Sequence, residues 1–300
     1  MSVVINNRTC TAVDFHTHIF PDKMAKKTIK ILDDDAGNLY TTVNDGTASG
    51  LLSNMDAWGI DISVVLPVIT KQSQFLNANE WAAAFSSERL VGFGSVFPYT
   101  DDYKRDIDYI AGLGLKGIKF HAEFQDFIVD DGFMLKIYDY AFGKDLIILH
   151  HAGFDPAFKP PFKSSPLQFA KIVEQMRGGI MIAAHLGGHD QWSDVEEHLA
   201  GRDIYLDTSM GFEYFPRDLF LRVVKKHGAE RILFGSDSPW SNAGTEIGHL
   251  RSMPLSADDI EAVLGGNARR ILGITSPTPS LRASLEAWQS TIQSRLGICD

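Results

Sequence analysis

Cysteine is nearly missing from this chain: there are two in 300 residues, Cys10 and Cys299, at opposite ends. That scarcity excludes a disulfide-built scaffold and a cysteine-ligated metal cluster. A single bridge would require the termini to meet, so two reduced thiols in a cytoplasmic protein are expected. Positive charge is also short, with 28 Lys and Arg against 38 Asp and Glu and a formal net charge of -10. A nucleic-acid partner, which needs a basic face, is thereby excluded. No apolar run approaches the roughly 20 residues of a membrane-spanning helix. Residues 1–10 hold neither the charged nor the apolar segment of a secretory signal. No Gly-x-Gly-x-x-Gly follows any strand, which disfavours an open dinucleotide-binding sheet. What remains, 44% hydrophobic and 22% charged residues, is the composition of a soluble globular protein of enzyme size.

What the chain does have is alternation. The first apolar run, Ala12, Val13 and Phe15, is followed by a lysine-rich stretch and a polar segment, 33–50, read as a loop that includes the acidic triplet Asp33, Asp34 and Asp35. Leu51, Leu52, Met55 and Trp58 then recur at helical spacing, and Gly59 stops the helix. Short apolar runs follow at 63–68, 90–97, 117–121, 146–151, 180–185, 204–207 and 231–237. Between them lie helical segments at 77–87, 101–113, 133–142, 167–177, 192–199 and 216–227. Continuous apolar strands are expected where both faces of a parallel sheet are covered. Eight strand–helix units in one chain of this length predict an α/β fold, a (β/α)8 TIM barrel. The whole chain, 1–300, is expected to be one barrel domain, with a helix at 280–296 (Leu281, Leu285, Trp288, Ile292, Leu296) packed outside it.

The chemistry-bearing residues collect at strand ends, where barrel enzymes place their active sites. His16 and His18 end the first strand, and residues two apart on a strand share a face about 6–7 Å apart. Lys119 and His121 end the fourth, His150 and His151 the fifth, His185 the sixth and Asp237 the eighth. Six of the ten histidines are in this set. Three histidines and a carboxylate suit zinc or another first-row divalent ion. Neighbours on a strand face opposite ways, so only one of His150 and His151 can face the barrel mouth.

The stretches Asp14-Phe15-His16-Thr17-His18, Gly117-Ile118-Lys119-Phe120-His121, His151-Ala152-Gly153, Ala184-His185-Leu186-Gly187-Gly188 and Phe234-Gly235-Ser236-Asp237-Ser238-Pro239 resemble the motifs of the amidohydrolase-related metal-dependent hydrolases. That group lies in the branch of the amidohydrolase superfamily that includes aminocarboxymuconate semialdehyde decarboxylase. Residues 55–61 and 266–273 match flanking motifs of the same branch, so the resemblance runs from about Asp14 to Gly273. It implies one divalent ion, Zn2+ first and Mn2+ second, held by His16, His18, Asp237 and a fifth-strand histidine. The family pattern puts that ligand directly before the small residue and glycine, which is His151. His185 is then the base that orients or deprotonates a metal-activated water, and Asp237 a ligand that can also take its proton. Lys119 is read in three ways: a cation gripping a substrate carboxylate, a carboxylated bridge between two metals, or neither. His121 faces the same side as a further ligand or substrate contact, and Trp240 and Phe212 are the aromatic residues expected to line the pocket.

The leading expectation is a hydrolase that opens an amide, lactone or ester of a small carboxylate-bearing substrate with metal-activated water. The rival of the same branch is a metal-dependent decarboxylase, which needs a cation for the departing carboxylate. With Lys119 and Lys71 the best-placed cations and no arginine at a strand end, hydrolysis is favoured. A third reading is a metal-binding barrel without catalysis. The expected partner is a small-molecule substrate; no feature fixes a subunit number, and a homo-oligomer is compatible with the exposed helix faces.

Overall fold

The computed structural model describes residues 2–5 and 8–275; the expected helix at 280–296 and Cys299 lie outside them. A hairpin not anticipated from the sequence comes first, its strands Val3–Ile5 and Arg8–Cys10 antiparallel with Val3 opposite Cys10. Eight parallel strands follow: β1 (Val13–Thr17), β2 (Ile62–Val65), β3 (Leu90–Gly92), β4 (Gly117–Phe120), β5 (Ile147–His150), β6 (Met181–Ala183), β7 (Tyr205–Asp207) and β8 (Ile232–Leu233). Ladders join β1 to β3 in one run and β4 to β8 in another. Two seams close the ring. Gly94 pairs with Ile118, and Lys119 N donates to Gly94 O at 2.9 Å. At the other seam Thr17 pairs with Ser238, and Phe15 N donates to Phe234 O at 2.8 Å. The fold is a (β/α)8 barrel.

An inner cluster of Val13, Phe15, Ile62, Val64, Leu66, Phe93, Leu149, Ile182 and Leu233 fills the barrel. Ala268 and Leu272, from the helix Asn267–Leu272, belong to the same cluster. The alternate residues, such as Ile118, Phe120, Ile148 and Leu206, belong to the cluster that includes the helices' buried faces. Strict alternation fails at one place. The pairing of β1 with β2 shifts register between Asp14 and Thr17. Phe15 packs in the inner cluster while its neighbour His16 also reaches barrel residues, so a bulge turns both toward the inside.

The acidic triplet is not a loop. It forms the last turn of the helix Asp22–Asp35, supported by the Lys30–Asp34 pair at 2.8 Å and by Asp33, whose Oδ1 accepts from Trp240 Nε1 at 2.9 Å. Residues after it fold back onto the β8 end: Val43 N donates to Pro239 O at 2.8 Å and Asn44 Nδ2 to Ser238 Oγ at 3.0 Å. The helix Ala48–Trp58 is capped by Thr47, which accepts from Gly50 N, and ends on left-handed Gly59 at φ 77°. Among the described residues no helix is long and apolar enough to cross a membrane.

The barrel interior leaves no room at Gly117, where a Cβ would stand 2.5 Å from Phe93 Cε2 and still closer to Ile147 O. Gly117→Ala is expected to lower stability by about 1–3 kcal/mol through overpacking. Thermal unfolding followed by circular dichroism checks this; an unchanged midpoint would contradict the packing described.

Candidate metal centre and active-site pocket

The bulge in β1 sets the floor of the site. His16 Nδ1 lies 2.9 Å from Asp207 Oδ2 at the end of β7, and His18 Nδ1 lies 2.9 Å from Leu66 O just beyond β2. A carboxylate and a carbonyl oxygen only accept, so both histidines donate from Nδ1, which leaves each Nε2 facing the site. Both Nε2 atoms point at one oxygen, Asp237 Oδ1, at 3.5 Å from His16 and 3.2 Å from His18. Burial pulls the His18 imidazole down to about 4, so it is neutral near pH 7. Burial alone would raise Asp237, but His16 and His18 more than offset it and hold its carboxyl well below the usual range. Two ring nitrogens and a carboxylate oxygen thus converge on one point, a donor set that a cation satisfies. These residues fit a divalent metal.

The backbone at the site is held in demanding conformations. Asp237 has φ 70° and His185 φ 57°, left-handed values that cost energy for any residue but glycine. Each is fixed by hydrogen bonds: Asp237 N donates to His16 O at 2.8 Å, and His185 N donates to Asp207 Oδ1 at 3.0 Å. Asp14 supports the turn before Asp237 by accepting from Ser236 N at 2.9 Å and Ser236 Oγ at 2.6 Å.

Lys119 is fully enclosed, with Nζ 3.2 Å from His16 Nε2. Burial lowers its ammonium to about 8, against the opposing pull of Asp237 and Asp207. It therefore carries its charge near neutrality. His185 offers Nε2 to His151 Nδ1 at 3.0 Å and Nδ1 to Ser209 Oγ at 2.9 Å; burial takes it down to about 3. His151 faces the pocket but is not grouped with the first three donors. Its ring stacks on His121 at 4.2 Å, and His121 Nε2 lies 3.1 Å from Asp155 Oδ2. His121, His151 and Asp155 form a second group of potential ligand atoms. His150 lies on the helix side, stacked on Phe120 at 5.2 Å and edge-on to Tyr138 at 5.1 Å.

Above this floor opens a cavity of about 770 Å³ that takes in His16, His18, Lys119, His121, His151, His185 and Asp237. Trp240 lines it, 5.7 Å from the His18 ring. Phe212 does not. It packs at 5.1 Å against both Phe215 and Phe220 in the core behind β7, so the expected substrate contact falls to other aromatics, Phe20, Phe124 and Phe154. Gly153 (φ 84°) lets the loop after β5 cross the loop after β6, where a Cβ would collide with the His189 backbone. Sequence reasoning passed over Asp207, Ser209, Asp155 and His189. The signal for Asp207 was present: it ends β7 as His185 and Asp237 end the neighbouring runs.

A sequence profile described as amidohydrolase matches residues 13–274. The chain belongs to the amidohydrolase family. No curated protein sequence matches it. Among solved structures, 5-carboxyvanillate decarboxylase from Sphingomonas paucimobilis is similar with a TM-score of 0.63 and 16% identity, over 89% of this chain and 100% of that one. The Novosphingobium aromaticivorans 5-carboxyvanillate decarboxylase, complexed with manganese and 4-hydroxy-3-methoxy-5-nitrobenzoic acid, gives 0.67 and 13%, over 88% and 96%. The 2,6-dihydroxybenzoate decarboxylase from Rhizobium gives 0.63 and 15%, over 89% and 100%.

These similarities correct the expectation of an amide, lactone or ester hydrolase, because the similar solved structures are mostly decarboxylases. The two chemistries use the same strand-end ligands, so the motifs do not separate them, and the lack of an arginine at a strand end does not count against decarboxylation. The buried ammonium of Lys119 already supplies a cation at the floor.

Asp207 fixes the ring of His16 from behind. Asp207→Asn is expected to weaken divalent-metal affinity 10- to 100-fold, the usual cost of losing such a partner. Titration against a competing chelator, with folding checked by circular dichroism, measures it; unchanged affinity would remove Asp207 from this role.

Proposed function

We propose that this amidohydrolase is a metal-dependent decarboxylase of a small aromatic or unsaturated carboxylic acid. One observation carries the reading: His16 Nε2, His18 Nε2 and Asp237 Oδ1 converge beside the Lys119 ammonium, at the floor of a pocket walled largely by apolar side chains. The decarboxylase neighbours support the reaction class, and manganese in one of them supports the kind of ion.

His16, His18 and Asp237 would hold one divalent ion, manganese or zinc, with His151 beside them, its Nδ1 3.0 Å from His185 Nε2. Such an ion would supply Lewis-acid polarisation of the substrate. Lys119 Nζ faces the substrate carboxylate and keeps it at the floor by charge. The carboxylate leaves as neutral CO2, so a surrounding that solvates charge poorly favours the products over the reactant. Phe20, Phe154 and Trp240 supply that surrounding and exclude water. The electron pair left on carbon takes one proton. His185, whose Nε2 lies 3.0 Å from His151 Nδ1, is positioned to relay that proton to the carbon, taking one up from solvent as it gives one. His121 and Trp240 contact the substrate above the ion.

The test is CO2 release from a panel of hydroxybenzoic acids by protein reconstituted with manganese or zinc. Turnover that stops on chelation and returns with metal is expected. No CO2 from any acid, with metal bound and the fold intact, would overturn the reading. Lys119→Met is expected to raise KM about 10- to 100-fold, the worth of a charge-assisted contact, while metal content stays the same. Unaltered KM would free Lys119 of the carboxylate.

A further inference from the structure

The cavity is larger than the chemistry at its floor requires. At about 770 Å³ it lies in the upper part of the range, roughly 300–1,000 Å³, that encloses drug-sized ligands. A one-ring acid seated on His16, His18 and Lys119 leaves most of it unfilled.

Two helices show what the remainder is shaped for. In the helix Asp22–Asp35, Ala25 and Ile29 are buried in the core. Met24, Thr28, Ile31, Leu32 and Asp35 form a separate stripe beside them, at the i, i+4, i+7, i+8, i+11 spacing of one face, and that stripe lines the cavity. The helix Phe75–Phe85 repeats the plan: Phe75, Asn79 and Ala82 are buried, while Ala78 and Trp81 lie on the neighbouring stripe and line the same cavity. Core packing accounts for the first stripe of each helix; in the second, Ala78 and Trp81 also pack against the edge of the core, whereas Met24 and Ile31 do not. Met24 and Ile31 remain 58% and 48% exposed, so two large apolar side chains stand toward water over the active site. The helix bearing them is tied to the floor, because Trp240 donates to Asp33 Oδ1 and its ring lies against His18.

We infer that the substrate carries an extended apolar substituent, such as an alkyl chain, which lies along Met24, Ile31 and Leu32 and reaches Ala78 and Trp81 while the carboxylate sits at Lys119. This rests on the decarboxylase reading for the acid end of the molecule; the apolar arm of the cavity carries the rest. The chain would cover side chains that are otherwise exposed, and affinity would rise with its length until the arm is filled.

The experiment is equilibrium binding, by tryptophan fluorescence and calorimetry, of 2,6-dihydroxybenzoate and its 4-methyl, 4-propyl and 4-pentyl derivatives to the manganese-loaded protein. The alkyl group opposite the carboxylate points away from the floor. Affinity is expected to rise about two- to fourfold per methylene, the upper value being that of full burial. In Met24→Asp and Ile31→Asp, at exposed helix positions that folding tolerates, the ratio of 4-pentyl to unsubstituted affinity is expected to fall at least tenfold. Trp81→Ala should reduce that ratio too. A flat or falling dependence on chain length, or a rise of equal steepness in the variants, overturns the inference. CO2 release is scored separately on the same compounds. Long-chain acids that bind tightly without losing CO2 would sink the decarboxylase reading and leave the apolar arm standing. Decarboxylation indifferent to chain length would do the reverse.

Discussion

The carboxylate of Asp207 is the contact on which the site depends. One oxygen fixes His16 Nδ1, and the other takes the backbone N–H groups of His185 and Ser209, each at 3.0 Å. Asp207 is fully buried, and its surroundings hold it ionised: burial opposes the charge, but His16 and His185 outweigh burial. A single anion at the end of β7 thereby orients the ring of His16, a proposed metal ligand from β1, and the left-handed turn that carries His185 after β6. Remove that charge and two histidines lose their orientation together, because neither is fixed by sterics alone.

The barrel was legible in the sequence because buried parallel strands leave near-continuous apolar runs, and these survive any uncertainty at their ends. The site was legible as a collection of strand-end residues for a related reason: a barrel brings all strand ends to one rim. What a period-two rule could not supply was the bulge in β1, where Phe15 and His16 turn the same way. Nor could it find Asp207, whose partner is a histidine 191 positions away with no fixed spacing between them. Phe212 failed as a pocket residue because apolar aromatics are equally at home in either place, and the bend after β7 takes this one into the core. The triplet at 33–35 looked like a loop by composition alone. Its helical state comes from Lys30 one turn back and from Trp240, a partner 207 positions away.

Hydrolysis and decarboxylation differ less in ligands than in what surrounds them. A hydrolase must admit and position water, whereas loss of CO2 is helped by a surrounding that solvates a carboxylate poorly. Met24, Ile31 and Leu32 come from the segment after β1, and Ala78 and Trp81 from the segment after β2. None of them belongs to a motif, and that is where the strand-end pattern stops being informative.

Only Ile19, Phe20 and Pro21 separate His18 from the first turn of the helix Asp22–Asp35. That helix is clamped at its far end by Trp240, three residues beyond Asp237. The pocket wall is therefore strapped at both ends to the proposed metal ligands and cannot swing out without pulling on them. A relative with a different appetite for substrate size would have to exchange side chains on this helix rather than move it, so natural variation at positions 24, 31 and 32 should track ligand bulk while the helix itself stays in place.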